Sequence, residues 1–245
     1  MAERDVRGIA AELAEHGVAL VDGIEEPTGL LRLARSLATV VPHRDSGPGG
    51  VTILADLGRP VPPRSGLSGF SACALNPHTD RSGLAQPPGL LLMSCGQAAT
   101  GGGESILIDG RAVYDDLAQR QPEAVASLST PRSVLFGGAA GYLGSVFTVA
   151  SRGVVAVRLR LDDLAQFSPE VQRWLPDLRA SIDRHTIVVT LAAGEGYVVN
   201  NRHWLRGRRA FIGQRVMYRV NGNLLSHLAI PPGFRPPSSV GTAVG

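Results

Sequence analysis

Asn76-Pro77-His78-Thr79-Asp80-Arg81-Ser82 is the stretch on which the reading of this chain turns. Side chains of an extended backbone alternate, so His78 and Asp80, two apart, face the same way. An imidazole and a carboxylate on one face are two thirds of a 2-His-1-carboxylate metal site, which leaves coordination positions open for ligands. A His-x-Asp is common, and alone it fits a turn with a solvated His and an Asp cap equally well. Its surroundings decide between the two.

On the N-terminal side, Val6 to His16 has the spacing of an amphipathic helix, closed by Gly17. Val18 to Val21 follows as a short buried strand, and Pro27 opens a second helix with Leu30, Leu33 and Leu37 on its apolar face. From Pro42 to Ser71 the chain is rich in Gly, Pro and Ser around one strand, Val51 to Leu54. A loop that long in a compact domain is functional or disordered, and a lid over the site is one reading of it. On the C-terminal side, strands are expected at Leu90–Cys95, Ser105–Asp109, Val134–Phe136, Val146–Val149, Val154–Leu161, Thr186–Leu191, Gly196–Asn200 and Arg215–Asn221. Helices are expected from Arg111 to Ser129, broken at Pro122, and from Ser168 to about Leu178, with Ser168 as N-cap. No repeat and no domain linker interrupts the chain. Many short strands with helices at the start and in insertions suggest a mainly β fold, a double-sheet jelly roll, rather than an alternating βαβ chain. One domain over residues 1–230 and a flexible, Pro/Ser/Gly-rich tail over 231–245 are expected.

Composition excludes several classes. The 245 residues are 44% hydrophobic and 18% charged, ordinary for a globular protein. All 24 basic residues are Arg, yet the net charge is only +3, too little to argue for a nucleic-acid partner. Cys73 and Cys95 lack metal or redox spacing, and the polar start carries no secretory signal, so a cytoplasmic location is expected. No apolar run is long enough to cross a bilayer, so no membrane partner is expected. Oligomeric state is not legible.

Four pieces stand in order along the chain. They are His78-Thr79-Asp80; Gly102-Gly103-Glu104-Ser105; Asn200-Asn201-Arg202-His203-Trp204-Leu205-Arg206-Gly207-Arg208-Arg209-Ala210-Phe211; and Arg215-Val216-Met217-Tyr218-Arg219. Together they resemble the taurine dioxygenase and clavaminate synthase-like branch of the iron(II)/2-oxoglutarate-dependent oxygenases, over nearly the whole chain. The resemblance implies a double-stranded β-helix (jelly roll), with Fe(II), 2-oxoglutarate and O2 as cofactor and cosubstrates. It implies oxidation of a small molecule, such as an amino acid or a natural-product intermediate. It makes His78 and Asp80 iron ligands, and it places Ser105 and Arg215 on the distal carboxylate of 2-oxoglutarate. Arg219 then faces the substrate or takes Arg215's part. A dicarboxylate calls for a planar, permanently charged fork, which Arg supplies. Four apart on one strand, Arg215 and Arg219 share a face, so both or neither should point inward.

One position departs from the family pattern. Arg206 stands where the second iron His is usual, and His203 lies three residues earlier. Guanidinium stays protonated and offers no lone pair, so Arg206 is no ordinary ligand. Three alternatives follow. His203 swings in and completes the triad; His78 and Asp80 hold iron with additional waters; or the site has lost iron and Arg206 puts a positive charge in its place. In the last case the chain is a binding protein or a non-oxidative cyclase or isomerase, with Arg206 as electrostatic stabiliser. Arg158 and Arg160 are weaker substrate-contact candidates. Asp109 reads as structural, and His16, His43, His185 and His227 read as surface or capping residues. The triple glycine Gly101–Gly103 is no phosphate loop, because no Lys-Ser/Thr follows.

Overall fold

The computed structural model describes residues 6–58, 66, 68–149 and 153–236. Two sheets face each other as a jelly roll. The major sheet has the order Val18–Val21, Gly196–Asn200, Leu90–Gln97, Val216–Leu224, Ala38–Val40, and Thr52–Ala55 also pairs with the long strand Val216–Leu224. The minor sheet has the order Thr186–Val189, Ser105–Asp109, Trp204–Arg208, Leu75–His78. All of these pairings are antiparallel.

The period of two in the strands sorts their side chains into layers. From Leu90–Gln97, the side chains of Leu91, Met93 and Cys95 join Leu107, Tyr197, Val199, Trp204 and Met217 between the sheets. Leu90 and Leu92 go the other way, against Leu13, Leu30 and Leu37 of the helices Val6–His16 and Pro27–Leu37. Behind the minor sheet, Ile108 and Leu205 pack with Leu117, Leu128, Phe147 and Leu178 of the insertions. The inner layer is therefore the one where polar strand residues find a cavity instead of solvent.

Three details differ from the sequence expectation. The helix opened by Ser168 stops at Gln172, and a separate helix runs from Leu175 to Arg184. Pro176 sits in the first turn of that second helix, where its missing N–H breaks nothing. The tail is not loose from Pro231. Phe234 is 2% exposed, exchanges backbone hydrogen bonds with Val155, and packs in the outer core. An aromatic side chain with a vacant place in a core is reason enough for the chain to stay docked. Residues 237–245, the rest of the expected tail, lie outside the described residues. The strand read as Val154 to Leu161 spans only Val155–Val157, after which the chain crosses to the site.

Asp116 ties the helix Gly110–Arg120 to Leu175–Arg184. Its carboxylate accepts from Ser181 Oγ at 2.7 Å, Arg184 Nη2 at 2.5 Å and Arg120 Nε at 2.7 Å. Burial alone would raise its pKa, but these donors hold the carboxyl well below the usual range. A depressed carboxylate contributes stability above its unfolded pKa, near 4, and loses it as pH falls further. Asp116→Asn should therefore lose about 1–2 kcal/mol at pH 7, discounted for the partly exposed arginines. The gap to the parent should narrow progressively below about pH 4, as read by urea unfolding across pH.

Candidate active site

The site is built where the strand Leu75–His78 leaves the minor sheet. His78 is the strand's last residue and Asp80 lies in the turn beyond it. The turn is fixed on two sides. Thr79 donates its N–H to Leu159 O at 2.9 Å and its Oγ1 accepts from Leu159 N at 3.1 Å. The Asn201 carboxamide accepts from Asp80 N at 2.8 Å and donates to Asp80 O at 3.0 Å and Pro88 O at 2.8 Å. A buried backbone clamped this way cannot drift, so the side chains of His78 and Asp80 converge with Nε2 and Oδ1 3.9 Å apart.

His78 donates Nδ1–H to Asn76 O at 2.8 Å, because a carbonyl can only accept. That fixes the tautomer and leaves the Nε2 lone pair on the Asp80 side, the arrangement usual for a metal-binding imidazole. Burial, then the charge of Arg206, pushes its pKa down to about 4, so the ring is neutral at pH 7. Asp80 is ionised. Burial works against this, but the guanidiniums of Arg206 and Arg219 hold its carboxyl well below the usual range.

Both oxygens of Asp80 already have donors. Arg206 Nη2 donates to Oδ1, as does Arg219 Nη1 at 3.3 Å, while Asn221 Nδ2 donates to Oδ2 at 2.8 Å. Arg206 comes from the strand Trp204–Arg208, in register with His78 across the sheet. Its guanidinium lies against the carboxylate oxygen that faces His78 Nε2.

His203 is not brought to this pair. It sits in the turn before Trp204, with Nε2–H on Asp109 Oδ1 at 2.9 Å, and it is flanked by the rings of Trp204 and Phe234. Gly17, at φ +71°, lies over it so closely that a Cβ there would stand 2.1 Å from His203 Nδ1. Asp109 also caps the helix Gly110–Arg120 by accepting from Arg111 N at 2.8 Å. His203 thus serves to tie a turn to a helix start, and the expectation that it completes a triad is corrected: it is bonded to Asp109 and, among the described residues, is not grouped with His78 and Asp80. His203→Ala should leave ligand binding in the cavity unchanged and lower stability by about 1–3 kcal/mol, the value of a buried hydrogen bond to a charged group. Thermal unfolding and calorimetry on one preparation check both halves.

The cavity beside Asp80 has a volume of about 340 Å³. Ser105, Arg206, Arg208, Arg215, Arg219, Tyr197 and Met93 line it together with His78, Asp80, His43 and Arg160. Arg215 and Arg219 do share the inward face, despite a bulge between Val216 and Met217. Arg208 donates to Ser71 O at 2.6 Å and to Cys73 O, and stacks over Phe211, so it fastens the edge of the cavity. Of the weaker candidates, Arg160 lines the cavity and pairs with Asp162. Arg158 instead binds the carbonyls of Ser82, Leu84 and Ala85 and lies over the Tyr142 ring, a structural anchor. The segment from Pro42 to Ser71 does reach the site: His43, Arg44, Leu54, Gly66, Ser68, Gly69 and Phe70 line it, while 59–65 and 67 lie outside the described residues.

Sequence reasoning placed His43 on the surface and did not single out Tyr197 or Asn221. His43 is half-buried at the cavity, its pKa lowered by burial and then by Arg219. Tyr197 sits against Arg206 in the cavity wall. Alternation from Arg219 would have found Asn221, two residues on along the inward face.

His78 and Asp80 fit a divalent metal as a neutral imidazole and an ionised carboxylate with converging donor atoms. Arg206, which lies against Asp80, has no lone pair to offer, so the fit is to two protein donors. Among the described residues, no group of three or more His, Cys, Asp and Glu is placed to hold a metal ion.

Comparison with known proteins agrees with this fold. An asparagine oxygenase, AsnO, superposes with a TM-score of 0.70 at 19% identity, over 90% of this chain and 78% of that one. The non-heme iron oxygenase OrfP, in complex with Fe and alpha-ketoglutaric acid, superposes with a TM-score of 0.66 at 14% identity, over 89% and 79%. PvcB from Pseudomonas aeruginosa gives 0.69 at 16% identity, over 92% and 82%. At such identities the likeness is one of fold. No curated protein sequence matches the chain. The profile of one family matches residues 2–221, nearly the full length, and by that match the chain belongs to the taurine catabolism dioxygenase TauD, TfdA family.

Proposed function

We propose that the chain is an iron(II)/2-oxoglutarate-dependent oxygenase that hydroxylates or otherwise oxidises a small molecule, an amino acid or a natural-product intermediate, in the cytoplasm. The observation that carries this is convergence: His78, Asp80, Ser105, Arg215 and Arg219, from three separate strands or strand ends, line one buried cavity. His78 Nε2 and Asp80 hold the metal. Ser105 and Arg215 hold the distal carboxylate of 2-oxoglutarate through a hydroxyl and a bidentate fork. Iron, when bound, supplies the activation of O2 that is coupled to decarboxylation of 2-oxoglutarate to succinate. The chain's own part is to fix both ends of the cosubstrate, to orient the substrate beside Asp80, and to keep water scarce in a cavity walled by Met93, Tyr197 and Phe70.

Substrate size follows from the cavity: about 340 Å³ takes a dicarboxylate and a molecule of amino-acid scale, and no macromolecule enters it. The related AsnO and OrfP are recorded with hydroxyasparagine and hydroxyarginine. An amino-acid substrate is in keeping with a cationic cavity, since a guanidinium there can take the α-carboxylate. No helix among the described residues is long and apolar enough to cross a membrane.

The test is succinate release from 2-oxoglutarate, with iron and O2, across a panel of free amino acids. Amino-acid-dependent succinate with a mass gain of one oxygen in the amino acid supports the proposal. The absence of any succinate with stoichiometric metal bound overturns it, leaving the alternative of a jelly roll without redox turnover, which the family match does not favour.

A further inference from the structure

A buried cation is costly unless an anion faces it. The cavity buries the guanidiniums of Arg206, Arg208, Arg215 and Arg219, each at most 7% exposed. Asp80 receives hydrogen bonds from two of them, Arg206 and Arg219. Arg208 is satisfied by backbone carbonyls. The position of Arg206 is the telling one. It donates to Oδ1 of Asp80, and Oδ1 is also the oxygen that faces His78 Nε2. His78 and Asp80 would hold a metal through this facing pair of donor atoms. Arg219 also reaches Oδ1, but from 3.3 Å, so Arg206 is the closer guanidinium and the one a metal there would be repelled by most.

We propose that Arg206 is a tethered competitor for metal: its guanidinium holds Asp80 in the metal-free protein, and a divalent metal enters the His78–Asp80 pair only as Arg206 leaves. The inference rests on the reading of His78 and Asp80 as metal donors. Arg206 has the means to leave. Its Nε has no hydrogen-bond partner, so the guanidinium is held chiefly at its tip. The carboxylate it vacates keeps Arg219 and Asn221 as donors, and so stays in place for the metal. Arg206 therefore sets how readily the site loads, at the position where a ligand would otherwise strengthen loading.

Anaerobic titration with Mn(II), read by loss of the free-ion electron paramagnetic resonance signal, tests this without turnover. The parent, Arg206→Gln and Arg206→His are compared, with circular dichroism confirming that each is folded. Arg206→Gln removes the charge and should tighten Mn(II) binding at least about tenfold, equivalent to 1.4 kcal/mol. Arg206→His adds an imidazole donor and should tighten it further; it also stands alone if the Gln variant does not fold. His78→Ala in either background should remove the gained site. Equal affinity in parent and folded variants overturns the proposal, as does a gain that survives His78→Ala. The two readings fail separately. Variants that gain Mn(II) but never release succinate uphold the competitor and sink the oxygenase. A parent that binds Mn(II) as tightly as its variants and turns over sinks only the competitor.

Discussion

Replacing Asp80 with Ala should destabilise the protein by about 3–5 kcal/mol, the loss expected when one partner of a buried ion pair is removed and the other is left unpaired. Here two guanidiniums and one carboxamide lose their acceptor together: Arg206, Arg219 and Asn221 all donate to this one carboxylate. Their strands belong to opposite sheets, Trp204–Arg208 to the minor and Val216–Leu224 to the major, so Asp80 also neutralises repulsion across the sandwich. In a chain of this size the loss corresponds to a drop in melting temperature of roughly 6–20 °C. Asp80→Asn should cost less, because its amide oxygen still accepts one of the donors. Small carboxylates such as formate should restore part of the Ala variant's stability by refilling the place between the arginines. The pH dependence has a definite sign. Asp80 has a depressed pKa in the folded state, so its contribution is complete above the unfolded carboxylate value near 4 and is lost as pH falls toward the much lower folded one. The gap between parent and variant should therefore be flat from pH 5 to 8 and shrink below about 4. A folded Asp80→Ala protein with the parent's stability, unaffected by formate, would show that water already screens these arginines and that the network contributes nothing.

How much of this was legible in the sequence depends on how far apart the partners lie. His78 and Asp80 were legible because two residues on one extended segment share a face whatever the rest of the chain does. Arg215 and Arg219 were legible for the same reason. The two sheets followed from the many short strands, among them the continuous apolar run Leu90–Cys95, although that strand extends to Gln97. The chemical limit of Arg206 was legible too, since no fold gives guanidinium a lone pair to offer. What His203 does was not. Its partner Asp109 is 94 residues away, and the lid of Gly17 over its ring depends on how the first helix docks. A His three residues from an expected ligand position looks interchangeable along the chain, yet on strand Trp204–Arg208 Arg206 faces the cavity, while His203 precedes the strand in a turn. His43 was misplaced for a related reason. A Gly/Pro-rich segment reveals that it is irregular, but not which of its residues the irregular path brings to a cavity 37 residues downstream.

Arg215→Ala should all but abolish 2-oxoglutarate binding. Arg215 is buried, its guanidinium lies over the Phe211 ring at 5.7 Å, and a Cβ on Gly103 would stand 3.0 Å from its Nε, so its place in the cavity wall is fixed. Among the described residues no carboxylate pairs with it, and burial lowers its pKa without a nearby Asp or Glu to oppose this. A cation preorganised in a cavity without an anion is what a dicarboxylate cosubstrate needs. Arg219, the other candidate on the same face, is already engaged by Asp80. Removing the charged partner of a buried carboxylate costs about 3–5 kcal/mol, which is a loss of roughly 10²–10³-fold or more in affinity. Arg215→Lys should fall between, because it keeps the charge and loses the bidentate fork. Ser105→Ala removes one hydroxyl bond and should lose about 1 kcal/mol, near fivefold. Calorimetric titration of 2-oxoglutarate into parent and variants, with the same divalent metal present throughout, gives all three numbers, and succinate as ligand isolates the distal carboxylate from any metal chelation. If Arg215→Ala binds both as the parent does while Arg219→Ala does not, the fork belongs to Arg219, and the carboxylate lies nearer Asp80 than assigned here.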